Sequence, residues 1–235
     1  MSKIVMSPSY PAFCAALRDR GHEIIPTDRI EIFLKPEQYH ADMQLLRMNE
    51  MIFLLRECEG LSEKLSEYKT VRCENSVGKN YPENAILNFL YLNNKLYGKA
   101  SAIDNSIREY CLKNCIEIRN VNQGYAGCST LVVNNKAVVT SDISIEKALK
   151  NDGAEVLLIS PGHIRLEGFD HGFIGGCSGT IDKKVFFLGN LHDHPDCDRI
   201  ISFISRHDAE YEILCEDIPL TDIGGIVQIN PRSGP

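Results

Sequence analysis

One short grammar recurs along the 235-residue chain, and it limits the fold more than any other feature. Gly127-Cys128-Ser129 and Gly176-Cys177-Ser178 each open an apolar run. Asn93-Asn94-Lys95 and Asn134-Asn135-Lys136 each separate two apolar runs. Asn tolerates positive φ, so these pairs predict hairpin turns. Aligned on the turns, the chain divides into units of roughly 40 to 50 residues, the period of stacked or radial repeats.

The fourth unit is the clearest. A strand over Cys128–Val133, the Asn134 turn and a return strand over Ala137–Thr140 lead to a cap at Ser141-Asp142. Ile145, Ala148 and Leu149 then keep helical spacing, which predicts a helix over Ile143–Asn151. Asp152-Gly153 stops it, and Glu155–Ile159 is an apolar strand suited to burial on both faces. The order is β-β-α-β. Unit two reads Met43–Leu46, Met51–Leu55, a helix near Leu61–Tyr68 and Thr70–Cys73. Unit three reads Ala85–Tyr91, Lys95–Tyr97, a helix near Ile103–Asn114 and Cys115–Arg119. Unit five reads Cys177–Ile181, Val185–Leu188, a helix near Pro195–Arg206 and Tyr211–Cys215. Unit one holds only Lys3–Met6, a helix near Pro11–Arg20 and His22–Ile25, so its first strand is predicted from the far end, Gly225–Ile229.

These readings predict an α/β fold, a five-fold pseudosymmetric β/α propeller of ββαβ units closed by the N- and C-terminal strands. Closure removes the open faces and unpaired edges that a linear array would expose. No unit buries its apolar face alone, so one domain is expected over residues 1–235. Apolar residues at 43% suit a real core, and a net charge of −7 without a Lys/Arg cluster disfavours nucleic acid and membrane surfaces as partners. No 18-residue uncharged apolar run and no signal-peptide h-region is seen. Nine cysteines, an odd number, point to a reducing, cytoplasmic setting. The zinc signature CxxC is absent, Cys111 and Cys115 read as packed on a helix, and neither a cofactor nor a metal is expected.

The repeat, with His40-Ala41-Asp42-Met43-Gln44, Gly127-Cys128-Ser129-Thr130-Leu131, Gly175-Gly176-Cys177-Ser178-Gly179 and Asp222-Ile223-Gly224-Gly225-Ile226, resembles the pentein or guanidine-modifying-enzyme superfamily. That group holds arginine and agmatine deiminases, dimethylargininases and amidinotransferases, and a non-enzymatic branch of ribosome anti-association factors. Among these the chain looks most like a bacterial branch apart from the named enzymes. The resemblance covers essentially the whole chain. It implies a funnel on the pseudo-five-fold axis, walled near Asp42, Leu87, Cys128, Cys177 and Gly225, with carboxylates for a guanidinium, a His and a nucleophilic Cys. The chain departs from that pattern. Its closing strand, Gly224 to Ile229, has no cysteine. Gly124-Tyr125-Ala126-Gly127 has no histidine where the family has its base. Glu83-Asn84-Ala85 replaces a Gly-Gly-Asp. Asp42 matches the acidic residue of unit two.

Candidate catalytic residues are Cys128 and Cys177, at equivalent places in adjacent units, with His171 as base. A cysteine on a strand keeps an ordinary thiol pKa, so activation needs a neighbouring charge; the bland alternative is a packing motif copied by duplication. Candidate ligand-binding residues are His40 and Asp42, which a strand would place on one face, Glu167 and Asp170 in a Gly-rich connection, and Asp222 before the closing Gly-Gly. His192-Asp193-His194-Pro195 reads as a helix start more than a metal motif. Three functions remain open. The first is recognition of a small cationic molecule, of guanidine or arginine type, by a funnel that lacks the usual Cys and His. The second is hydrolysis or amidino transfer with Cys128 or Cys177 displaced into the nucleophile role. The third is a non-catalytic protein–protein role like that of the anti-association factors. Whether the chain is an enzyme is left undecided.

Overall fold

The computed structural model describes residues 1–229; the last residues of the expected 1–235 domain lie outside that range. Its strands are β1 (Lys3–Met6), β2 (Glu23–Pro26), β3 (Leu45–Met48), β4 (Met51–Leu54), β5 (Lys69–Arg72), β6 (Leu90–Leu92), β7 (Lys95–Gly98), β8 (Glu117–Asn120), β9 (Thr130–Asn134), β10 (Ala137–Thr140), β11 (Glu155–Leu158), β12 (Ser178–Ile181), β13 (Lys184–Asn190), β14 (Glu210–Pro219) and β15 (Ile226–Gln228). The α-helices are α1 (Pro11–Asp19), α2 (Ala41–Gln44), α3 (Glu59–Lys64), α4 (Asn105–Lys113), α5 (Ile143–Asn151) and α6 (Cys197–Arg206).

The strands form five three-stranded sheets, ordered β15-β1-β2, β3-β4-β5, β6-β7-β8, β9-β10-β11 and β12-β13-β14. In each the first two strands are antiparallel and the last two parallel. The parallel step needs a crossover, and a helix supplies it every time. In the first sheet β15 takes the outer antiparallel place, pairing Ile4 with Gln228 and Met6 with Ile226. The closing strand is therefore two residues shorter than expected, and it pairs as expected.

Local chemistry accounts for these elements. Asn49, Asn93, Asn94 and Asp182 carry positive φ in the hairpin turns, which L-residues other than Asn and Asp avoid. The Asn134 turn differs. There Asn134 Oδ1 accepts from Lys136 N at 2.8 Å, and the register slips at Ala137/Val138. The Asp142 carboxylate caps α5 by accepting from Ser144 N and Ile145 N, and Asp104 caps α4. The faces turned inward are apolar: Ile145 and Leu149 of α5, Ile200, Phe203 and Ile204 of α6, and Leu17 and Phe13 of α1 are all buried.

Side chains tie each sheet to the next. Arg47 Nη1 donates to Gln228 O at 2.7 Å, and Tyr91 OH to Asn49 Oδ1 at 3.0 Å. Asn93 Nδ2 donates to Asn135 O at 2.6 Å, and Thr180 Oγ1 to Val132 O at 2.5 Å. Gln228 Nε2 donates to Asp182 Oδ1 at 3.0 Å, joining the fifth sheet back to the first.

Three expectations are corrected. Ala85–Tyr91 is not a strand throughout: a 3-10 turn covers Glu83–Ala85 and β6 starts only at Leu90. Met43–Leu46 is not a strand: α2 covers Ala41–Gln44 and β3 starts at Leu45. His40 and Asp42 therefore do not share a strand face; His40 sits extended ahead of α2 and Asp42 lies within it. Cys128 and Cys177 do not begin strands. Each occupies a single helical turn, closed by Ser129 N to Tyr125 O at 2.9 Å and Cys177 N to Phe173 O at 3.1 Å. Apolar content alone does not separate a strand start from such a turn.

Candidate functional site

Three connections deliver a buried polar cluster to one place. The first runs from β2 to α2. Gln44 holds it together by donating to Asp28 O at 2.6 Å and Gln38 O at 3.1 Å, while its Oε1 accepts from Asp28 N at 3.0 Å. The second is the turn before β9, fixed by Asn88, whose Oδ1 accepts from Cys128 N at 2.9 Å. The third is the loop before β15. Asp42 N donates to Gly224 O at 3.1 Å, so this loop lies directly on α2. A Cβ at Gly224 would sit 2.4 Å from His40 Cα, and Gly224 has φ +83, so only glycine fits here without strain.

Within the cluster the Cys128 thiol donates to Asp42 Oδ2 at 2.6 Å. His40 Nδ1 is 3.8 Å from Asp222 Oδ1. Asp222 is held by two backbone donors, Phe173 N at 2.8 Å and Gly224 N at 3.0 Å. His40 Nε2 and Asp42 Oδ1 are buried atoms without a hydrogen-bond partner. One donor atom from each of His40, Asp42 and Cys128 lies within 4.8 Å of the others. His40, Cys128 and Asp222 are almost wholly buried.

The electrostatics follow from crowding acids away from water. Burial, then Asp222, pushes the Asp42 carboxyl up to about 8, against the Cys128 hydrogen bond. Burial first, then the Asp42 and Asp222 carboxylates, pushes the Cys128 thiol up. Burial and Asp222 push Glu37 up to about 7. Burial lowers His40, which Asp222 partly offsets. Asp42, Glu37 and Cys128 therefore hold their protons more tightly than free groups do, while His40 gives its proton up more readily. An incoming cation would favour the ionised carboxylates and thiolate and release those protons.

A cavity of about 580 Å³ adjoins the cluster. Residues of β3, β6, β9, β12 and β15 line it, the first strand of every sheet. Asp42 reaches its wall beside Gly127, Gly175, Gly224 and Gly225, while His40, Cys128 and Asp222 stand behind.

Of the residues singled out in the sequence, the fold brings together His40, Asp42, Cys128 and Asp222. The others lie apart. Cys177 packs in an apolar core with Leu131, Ile174 and Phe187, its thiol donating to Ile174 O at 3.3 Å. His171 is half-buried with its ring against Phe173, and Glu167 and Asp170 are exposed. Sequence reading missed two members. Asn88 had a signal, a lone amide inside the apolar run Ile86-Leu87-Asn88-Phe89-Leu90. Glu37, after Lys35-Pro36, had none.

The sequence matches the group described as "Family of unknown function (DUF6873)" over residues 4–227. The chain belongs to this family. No curated protein matches it. Solved structures do. The dimethylarginine dimethylaminohydrolase of Pseudomonas aeruginosa, complexed with citrulline, is 12% identical with a TM-score of 0.59, over 97% of this chain and 98% of that one. SxtG, an amidinotransferase of Microseira wollei, is 11% identical with a TM-score of 0.60, over 100% and 95% of the two chains. The agmatine deiminase of C. jejuni is 8% identical with a TM-score of 0.55, over 99% and 93%. At these identities the likeness carries the fold, and this member of the family has the pentein fold. No helix of the described residues is long and apolar enough to cross a membrane.

Proposed function

We propose that the five sheets are the blades of a five-fold propeller whose axial funnel receives a small cationic molecule of guanidine or arginine type. The reading is supported by the five side-chain ties running from sheet to sheet and back to the first, and by first strands lining the cavity. The observation that carries it is Asp42. Its Oδ1 is buried without a partner, and the carboxyl, protonated when alone with Asp222, gains most from a guanidinium. Glu37 and Asp222 add negative potential behind it. The free cysteines suit a reducing cytoplasm.

The contact between Cys128 and Asp42 favours a second reading, hydrolysis of the guanidine. Once the bound guanidinium has displaced the Asp42 proton to solvent, the Asp42 carboxylate takes the thiol proton, and the sulfur lone pair adds to the guanidinium carbon. The C–N bond to the leaving amine then breaks, and the amine departs with the proton held by Asp42. Water adds to the same carbon, the C–S bond breaks, and the thiol is restored with a ureido product. His40, kept neutral by burial, offers its free Nε2 to the water proton.

Thermal denaturation with arginine, agmatine and methylated arginines tests the binding reading. A ligand at 100 times its Kd adds about 2.7 kcal/mol, which raises the Tm of a chain this size by roughly 5–10 °C. No shift with any of the set contradicts it. Release of ammonia or amine, lost in Cys128→Ser and kept in Cys177→Ser, tests the hydrolytic reading.

A further inference from the structure

We propose that His40, Asp42 and Cys128 form a binding site for a borderline first-row divalent metal of the zinc type, with the fourth position open toward the cavity. The proposal does not rest on the guanidine reading; it concerns an alternative occupant of the same residues. Three kinds of donor converge, an imidazole nitrogen, a carboxylate oxygen and a thiol sulfur. That mixture selects zinc or cobalt over magnesium or calcium, which prefer oxygen alone.

The geometry suits a tetrahedral ion. Bonds of about 2.0–2.3 Å place neighbouring ligand atoms roughly 3.5 Å apart, and the three donors already lie within 4.8 Å of one another. The His and the Asp each offer a vacant atom: among the described residues, His40 Nε2 and Asp42 Oδ1 are buried and have no hydrogen-bond partner. A buried polar atom left unpaired is costly, so its retention calls for an occupant. The third, Cys128 Sγ, donates to Asp42 Oδ2 at 2.6 Å, and a cation between the two replaces that shared proton.

The surroundings behave as an outer shell. Asp222 Oδ1 stands 3.8 Å from His40 Nδ1, the nitrogen that would face away from the ion, and two backbone N–H groups fix that carboxylate. A carboxylate behind a ligating imidazole sets its tautomer and orientation. Asn88 Oδ1, accepting from Cys128 N at 2.9 Å, fixes the sulfur-bearing residue in the same way. Since Asp42 reaches the cavity wall, an ion here closes the funnel to a guanidinium, and the two ligands exclude each other.

Cobalt titration of chelator-treated, full-length protein tests the site without any guanidine. The expected result is uptake of one equivalent of Co²⁺, with the strong visible absorption of a tetrahedral ion, a thiolate-to-cobalt charge-transfer band in the near ultraviolet, and displacement by Zn²⁺. Cys128→Ser abolishes the charge-transfer band, and Cys197→Ser, beside His192 at 3.7 Å, leaves it intact. His40→Ala weakens cobalt at least tenfold, and Asp222→Asn weakens it about 10–100-fold. Circular dichroism checks that each variant is folded. No uptake by the wild-type protein, or a charge-transfer band that survives Cys128→Ser, overturns the proposal. Should Cys128→Ser fail to fold, wild-type cobalt affinity in His40→Ala overturns it equally.

Discussion

The Cys128 thiol and the Asp42 carboxylate meet at 2.6 Å across 86 positions of sequence, joining the second unit of the repeat to the fourth. Groups in direct contact are energetically coupled. A double-mutant cycle with Cys128→Ala and Asp42→Asn is expected to show a coupling energy of about 0.5–3 kcal/mol in denaturant unfolding. Additivity within about 0.3 kcal/mol contradicts the contact.

Glu37 supplies a pH test. Its carboxyl is pushed up to about 7 by burial and then by Asp222. An unfolded Glu ionises near ~4.3, so between these values the unfolded state loses its proton first, and stability falls as pH rises. Below that window both states are protonated and the burden vanishes. Glu37→Gln is therefore expected to gain on the wild type by up to ~1.4 kcal/mol per pH unit through the window. Equal stability gaps at pH 4 and pH 8 contradict this.

Asp152 behaves in the opposite sense. Burial raises its pKa, but Arg119, Lys95 and Tyr97 outweigh that and hold it well below the usual carboxylate range. Arg119 donates at 3.0 and 3.1 Å, Lys95 Nζ at 2.6 Å and Tyr97 OH at 2.7 Å. A depressed folded pKa contributes stability above the unfolded value, and that stability is lost as pH falls. Asp152→Asn is expected to cost about 1–3 kcal/mol at pH 7, with the gap closing below about pH 4. A gap that widens in acid would refute the assignment.

Gly224 tests how tightly the closing loop lies on the cluster. Alanine there meets both a positive φ and a Cβ 2.4 Å from His40 Cα. At Gly153 the φ is +86 but nothing lies within 4 Å. Gly153→Ala is expected to cost about 1–2 kcal/mol, the left-handed penalty alone. Gly224→Ala should cost visibly more and disturb any ligand response. Equal costs contradict the close packing.

Much of the fold was legible because local chemistry and repeat agreed. In unit four Asp142 caps, Asp152-Gly153 stops, and the helix bounds Ile143–Asn151 match residue for residue. The boundaries that slipped are apolar stretches where a helical turn and a strand look alike: Met43–Leu46, Ala85–Tyr91, Cys128 and Cys177. The cluster was legible only in part. His40, Asp42, Cys128 and Asp222 stood out as polar groups beside glycines or strand ends. Duplication made Cys128 and Cys177 look equivalent, yet the first meets Asp42 and the second an apolar core, a difference set by neighbours remote in sequence. Glu37 gained its character from burial and from Asp222, a neighbour remote in sequence, which no local pattern encodes.

The central claim is that Asp42 holds a guanidinium at the cavity wall. Isothermal titration of agmatine, arginine and methylated arginines into wild-type protein and Asp42→Asn measures it most directly. Saturable heat from one of these ligands, lost in Asp42→Asn while that variant stays folded, is the predicted result. Silence from the whole set in the wild type, or unchanged binding in Asp42→Asn, would contradict it.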